Sequence, residues 1–549
     1  MGVYRLTGPR DPDAFPAMQL FLLAIVRLAE PIALTSIFPY AWALVKDFKI
    51  GHESHASFYS GILISAFSLA EAAMGMYWGG LSDRIGRKPV LIIGTVGTMF
   101  SMLMVGVAPS FGVALFGRAL GGLLNGNIGV IQTMVGELVT RPEHERKFSP
   151  DQHPPLTGAN TKDTARAFSI MPFVWSIGTI VGPSIGGVFA NPHDSWPETF
   201  PTGGLFDRFP YLLPNLICSG LLLVSIVLGV FLLEETHPDM QPMFAQPTEY
   251  HPSEETPLIP SSNIRMPVAD AQPETYGTID VSDEDWDVLT VEDEKETPVA
   301  SPKIWNSRVV GFIIALSIFT YHSMTFDHLL PIFFEDKRAS VIEMLQPGSM
   351  FPFYSPGGLG LTLRDVGMIL AVDGGIALCI QIFIFPWAAH KFGTYRLFLF
   401  VTVLHPIAYI LMPMLLLVPE SLIYPAIYCC LIVRNILSII LYPLLMILIK
   451  EATPTSSALG KVNGLAASAG AACRMIAPPI AGCLWAIGSK IDCSALAWYG
   501  SAVAAIFGAV QCFSVPRQHN EAPTEETPIM IHKQDAAVTV TEIEFYDSD

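Results

Sequence analysis

Charge is scarce along this chain. Asp, Glu, Lys and Arg make up 15% of its 549 residues, against roughly 25% in soluble globular domains. Cysteine is scarce too. The eight are scattered, with only Cys429 and Cys430 adjacent, and no spacing suits a metal site or a disulfide framework. No basic patch stands outside the short loops, which excludes nucleic acid as a partner. Strand-like alternation of apolar and polar residues is missing, which excludes a membrane barrel. No converging set of acid, base and nucleophile appears, so an enzyme is not expected. The first apolar run is longer than a signal h-region, so no cleavable signal is expected.

What fills the space is apolar: 51% of residues are hydrophobic and the mean hydropathy is +0.45. Twelve runs approach or exceed the roughly 20 residues that cross a ~30 Å hydrocarbon core. They lie near 18–45, 59–80, 89–108, 111–135, 166–190, 209–233, 306–334, 362–388, 395–418, 421–449, 459–487 and 495–514. The fourth, tenth and eleventh each carry an arginine. Backbone groups in lipid must pair within the segment, so all twelve read as helices. The fold class is an all-α polytopic membrane protein.

The net charge of −18 comes from two polar segments: 234–304 carries −14 and 516–549 carries −6, leaving +2 elsewhere. The organisation reads as a cytosolic N-terminal segment (1–17), a six-helix bundle (18–233) and an acidic linker (234–305). A second six-helix bundle (306–515) and an acidic tail (516–549) follow. Low hydrophobicity and high charge predict disorder in linker and tail. With both termini in the cytosol, the cytosolic short loops carry 12 Lys and Arg against 7 opposite, the sense of the positive-inside bias. Two longer loops, 136–165 and 335–361, read as gates or as tolerated insertions.

"GGLSDRIGRKPV" (79–90) packs four charges between two apolar runs. The second helix is expected to end near Gly80 and the third to start at Pro89, with Gly86 permitting the sharp turn. Asp83 suits a helix N-terminus. Arg84, Arg87 and Lys88 suit carboxylates on nearby helix ends, pairs that form in one arrangement and break in another: a latch. In "GTIVGPSIGG", Gly178, Gly182, Pro183, Gly186 and Gly187 let a neighbouring helix approach closely, and the proline is expected to kink its helix.

Gly79, Leu81, Asp83, Arg84, Gly86, Arg87, Lys88 and Leu91 resemble the signature G-x-L-x-D-R-x-G-R-K-x-x-L of the major facilitator superfamily, found between its second and third helices. The fifth-helix glycines resemble the motif G-x-x-x-G-P-x-x-G-G of the superfamily's drug:proton antiporters. Arg118 in "LFGRALGGLLNGNIGV" resembles its fourth-helix arginine, which the family associates with proton coupling. "YWGGLSDRIGRKPV" and "GLLNGNIGVIQTMVGEL" are similar to the fungal and plant branch that includes the zinc-induced facilitators. The resemblance implies two six-helix bundles and alternating access, with the proton gradient as energy source and no cofactor. The corresponding loop of the second half, "WAAHKFGTYR", departs: His390 stands where an Asp would, and only Gly393 and Arg396 match. Pro478 and Pro479 in the eleventh helix read as a kink and hinge.

Charges inside the spans are costly and mark pathways. Glu30, Asp373 and Glu71 are the proton-coupling candidates, in that order. Arg27 is one turn from Glu30, so a fixed structural pair is the competing reading. Trp175, Arg434 and Arg474 are candidates for a substrate cavity. Asp327 and His328 sit nearer the outer end of the seventh helix. "EETPLI" (Glu254, Leu258, Ile259) has the spacing of an acidic dileucine sorting signal, an address read by an adaptor; it favours a vacuolar or endosomal membrane over the plasma membrane. The expected activity is proton-coupled export of small organic molecules by a monomer. A vacuolar facilitator for a metal chelate or metabolite shares the fold, and a transporter-like sensor is the remote alternative. Bare metal is disfavoured because the histidines form no ligand cluster.

Overall fold

The computed structural model describes residues 16–139, 161–237, 306–339, 354–454 and 456–516. The sorting-signal candidate (Glu254, Leu258, Ile259) and most of the two acidic segments lie outside the described residues. Six helical spans form the first half: α1 (Ala17–Thr35), α2 (Ala56–Ile85), α3 (Arg87–Gly106), α4 (Phe111–Leu124 and Asn127–Val139), α5 (Thr161–Phe189) and α6 (Leu212–Leu232). The second half holds α7 (Ser307–Glu335), α8 (Leu363–Cys379 and Phe385–Phe392 about a π turn, Ile380–Ile384) and α9 (Thr394–Met414). It closes with α10 (Ile423–Ala452), α11 (Ser456–Lys490) and α12 (Ala495–Cys512). Ten helices among the described residues are long and apolar enough to cross a membrane by themselves. The remaining two spans are α4, which is broken, and α5, whose apolar stretch covers Val174–Phe189.

Three boundaries differ from the sequence expectation. The first run is two helices, because α1 stops at Thr35 and a short helix, Ala41–Asp47, follows a turn. Thr35 and Ser36 hydroxyls donate back to the carbonyls of Pro31 and Ala33 at 2.7 and 2.9 Å, and Pro39 lacks the N–H that would extend the helix. Span α4 breaks at Asn125, where Asn125 Oδ1 accepts the backbone N–H of Asn127 at 3.1 Å. There is also almost no loop between α2 and α3. Both helices continue through their charged residues, and Gly86 alone turns the chain, at φ 99°. By contrast, α5 runs unbroken through Pro183.

Odd-numbered and even-numbered spans run in opposite directions, so helix ends at 17, 85, 232, 307, 392, 452 and 512 share one side. This is the terminal side; the opposite one is the far side. Within the first half α3 packs on α4 and α6, α2 on α4, and α1 on α5 and α6; within the second α7 packs on α10, α11 and α12, and α9 on α10 and α12. The halves meet along α2–α11 and α5–α8. Large apolar side chains such as Phe231, Phe383 and Phe507 point outward, the arrangement suited to a hydrocarbon solvent.

The halves join at the far side. Ser57 Oγ donates to the carbonyl of Gly482 at 2.9 Å, and His328 Nε2 lies 3.3 Å from the carbonyl of Ser57. Lys490 Nζ donates to His55 at 3.1 Å. A side chain on Gly61 would overlap the Pro478 backbone, and one on Gly187 would overlap Gly367. The Pro478–Pro479 pair of α11 therefore sits in the seam. Toward the terminal side both α2 (Met76, Tyr77, Gly80) and α11 (Asn463, Gly464, Leu465) become exposed. The central cleft is sealed at the far side and open at the terminal side.

Candidate functional site

Intramembrane charge is gathered into one network per half. In the first half Glu30 is buried, 2% exposed, and both its oxygens are occupied. Arg27 Nη1 pairs with Oε2, Asn125 Nδ2 donates to Oε1 at 2.6 Å, and Asn127 Nδ2 donates to Oε2 at 3.3 Å. The break in α4 is what aims both asparagines at Glu30. Trp175 from α5 stacks on Arg27, 5.3 Å from guanidinium to ring centroid.

The neighbouring charges lack this completeness. Arg118 on α4 is 2% exposed and lies 5.0 Å from the Phe67 ring. Its Nε and Nη1, and Oε1 of Glu71, are buried with no hydrogen-bond partner. Gly121 and Gly122 permit this closeness: side chains there would run into Ser101, Phe67 and Ala70. Glu71 also feels the charges of Arg27, Glu30 and, from the other half, Arg474. Arg474 is half-buried, and its Nη1, like Thr320 Oγ1 of α7, lies within 4 Å of where a side chain on Gly470 would begin.

The second half carries a relay across three helices. Arg434 Nη2 on α10 donates to Asp327 Oδ1 on α7 at 2.6 Å, and Nη1 donates to Asn435 Oδ1 at 3.1 Å. Asn435 Nδ2 in turn donates to Asp373 Oδ1 on α8 at 2.7 Å. The guanidinium stacks on Phe326, 4.6 Å from its centroid. Behind this relay His322 Nδ1 pairs with the Tyr409 hydroxyl at 2.6 Å. Buried His405 packs against His322 with the rings tilted at 54° and neither of its ring nitrogens partnered. Among the described residues no three His, Cys, Asp or Glu side chains are grouped to hold a metal.

The fifth-helix glycines form two seams. Side chains on Gly178, Gly182 and Gly186 would strike Pro31, Thr35 and Ser36 of α1 and the turn after it, while Gly187 abuts α8 of the other half. Thr35 Oγ1 also donates to the carbonyl of Gly178 at 3.3 Å.

At the terminal side Arg87 is the hub. Its Nη1 donates to Asp83 Oδ1 and to Ser82 Oγ, at 2.5 and 2.7 Å, and its Nε donates to Glu137 Oε1 of α4 at 3.0 Å. Glu235, in the chain leaving α6, caps α3: its carboxylate accepts the backbone N–H groups of Arg87 and Lys88 at 2.9 and 3.1 Å. Thr236 Oγ1 donates to Glu137 Oε2 at 2.6 Å. Lys88 Nζ donates to the carbonyls of Val230 and Leu233 at 2.8 and 2.7 Å. Arg84 and Gly80 are exposed, and no atom lies within 4 Å of where a side chain on Gly79 would begin. Sequence reasoning named Asp83, Arg84, Arg87 and Lys88 but missed Glu137, Glu235 and the asparagines at 125, 127 and 435.

Comparison with known proteins fits this arrangement. Residues 23–478 match the family described as Major Facilitator Superfamily. The chain is 37% identical, over 94% of its length and 86% of the relative's, to a protein of Aspergillus fumigatus named major facilitator superfamily multidrug transporter mfsB. It is 24% identical, over 86% of its length and 84% of the relative's, to protein ZINC INDUCED FACILITATOR 1 of Arabidopsis thaliana. Among solved structures, a D-xylose–proton symporter is similar in fold with a TM-score of 0.61, at 12% identity over 92% of this chain and 98% of that one. Two six-span halves about a shared cleft, the charged turn at Gly86 and these matches together lead to one assignment: the chain belongs to the major facilitator superfamily, whose members are multi-pass membrane transporters.

Proposed function

We propose that this protein exports small organic molecules in exchange for protons, working as a monomer with both termini in the cytosol. The observation that carries the proton half of this reading is the unpartnered carboxylate oxygen of Glu71, one turn along α2 from the Phe67 ring on which Arg118 rests with its Nε and Nη1 unpartnered. A buried polar atom without a partner costs roughly 1–3 kcal/mol, and a proton on Glu71 would relieve the unbalanced carboxylate. Glu30 is already satisfied by three donors, so its role in this reading is to hold α1 against α4. Similarity to a multidrug transporter supports an organic cargo, and the cleft between the halves supplies the route.

Gradient-driven efflux from proteoliposomes tests this. With Glu71→Gln, transport should lose its dependence on the pH gradient while substrate exchange continues. Wild-type efflux that ignores the gradient would end the antiport reading. Orientation rests on the loop-charge bias, and the address in the linker supports delivery to a vacuolar or endosomal membrane by a sorting adaptor.

A further inference from the structure

Asp327 stands apart from every other intramembrane carboxylate. It lies roughly 30 Å along α7 from the terminal-side end at 1.5 Å per residue, near the sealed end of the cleft. Its side chain is nevertheless 47% exposed. Lipid does not account for that exposure, because Asp327 pairs with Arg434 on α10 and the next residue, His328, touches α2 of the other half. The exposed carboxylate therefore faces the cleft. Its partner is not exposed: the Arg434 side chain is 11% exposed and is engaged by Ser323, Asn435 and the Phe326 ring. The face this ion pair offers to an incoming molecule is thus negative.

We propose that Asp327 is the docking point for a positively charged group on the transported molecule, and that His328 links its occupancy to the far-side seal. This inference rests on the export reading above. A cation at Asp327 competes with Arg434 for the same carboxylate. Loosening that bond leaves Arg434 hydrogen-bonded to α7 through Ser323 alone and eases α7 against α10 next to His328, whose ring faces the Ser57 carbonyl, and Ser57 also bonds to Gly482. Two consecutive residues on one helix thus bring a cleft-facing carboxylate and a seal contact together. Arg434 keeps a second tie, through Asn435 to Asp373, so it remains partnered when Asp327 is taken.

The test uses the full chain in nanodiscs with tetraphenylphosphonium, a cation of fixed charge, and neutral triphenylphosphine oxide. Wild type should bind the cation about tenfold more tightly than the neutral analogue or better. Asp327→Asn should erase that preference and Asp327→Glu should keep it. The cation should also raise backbone deuterium uptake at residues 53–61, and His328→Phe should show raised uptake before any ligand is added. Equal wild-type affinity for the two probes overturns the inference, and so does an unchanged preference in Asp327→Asn or cation binding that leaves 53–61 unaltered. Gradient-driven efflux of a neutral substrate by the wild-type chain reports separately on the antiport reading, which stands if that efflux follows the pH gradient.

Discussion

Two glutamates 41 positions apart illustrate how environment, not residue type, decides what a buried acid does. Both Glu30 and Glu71 sit among arginines, but each oxygen of Glu30 faces a donor within its half, while Glu71 keeps a bare oxygen. Removing Glu30 should leave Arg27 buried and unpaired, a loss of about 3–5 kcal/mol for a broken buried pair. Glu30→Ala is therefore expected to lower the thermal unfolding midpoint in detergent sharply. The paired change Arg27→Met with Glu30→Leu should recover part of that loss, since it removes the orphaned charge but still leaves the Asn125 and Asn127 amides without their acceptor. If Glu30→Ala left the midpoint unmoved and abolished only gradient coupling, the roles of the two glutamates would have to be exchanged.

Among the elements, the turn between α2 and α3 and its counterpart between α8 and α9 share a backbone and differ in chemistry. Gly86 and Gly393 each end one helix and begin the next, at φ 99° and 76°, a region that costs other residues on the order of 1–3 kcal/mol. Gly86→Ala and Gly393→Ala should lower the unfolding midpoint to a similar degree. Among the described residues, ion pairs belong to the first turn alone. Arg87 gathers Asp83 and Glu137 there, whereas Lys391 rests on the rings of Trp387 and Phe392. Asp83 is 63% exposed and paired only with Arg87 among the described residues, so Asp83→Asn should spare the midpoint and substrate binding yet slow turnover. The twelve spans and the turning glycine were readable because hydropathy and a positive-φ requirement are local properties. The break at Asn125 was not, because it depends on Glu30, 95 residues away. Glu235 and Glu137 were hidden for the same reason: nothing in their own neighbourhood says that they cap α3 and hold Arg87.

For the whole molecule, glycine marks where the halves touch and where they have yet to touch. At the far side, Gly61, Gly187 and Gly482 leave no room for even a methyl group against the opposing backbone. At the terminal side, the positions around Gly75, Gly79 and Gly80 on α2 and Gly464 on α11 are empty. Alternating access requires the second set to close as the first opens, so bulk at each site should trap opposite states. Gly187→Leu is expected to push α5 from α8 and hold the far side open. Gly79→Trp should fold with an unchanged midpoint, bind substrate from the terminal side and fail to transport, because closure would drive the indole into α11. Paired spin labels at His55 and Lys490, whose side chains meet across the seal, measure both predictions. The label separation should widen in Gly187→Leu and stay short in Gly79→Trp even with substrate present. A Gly79→Trp protein that transported normally would show that α2 and α11 do not close at the terminal side, and the rocking of one half against the other would have to be abandoned.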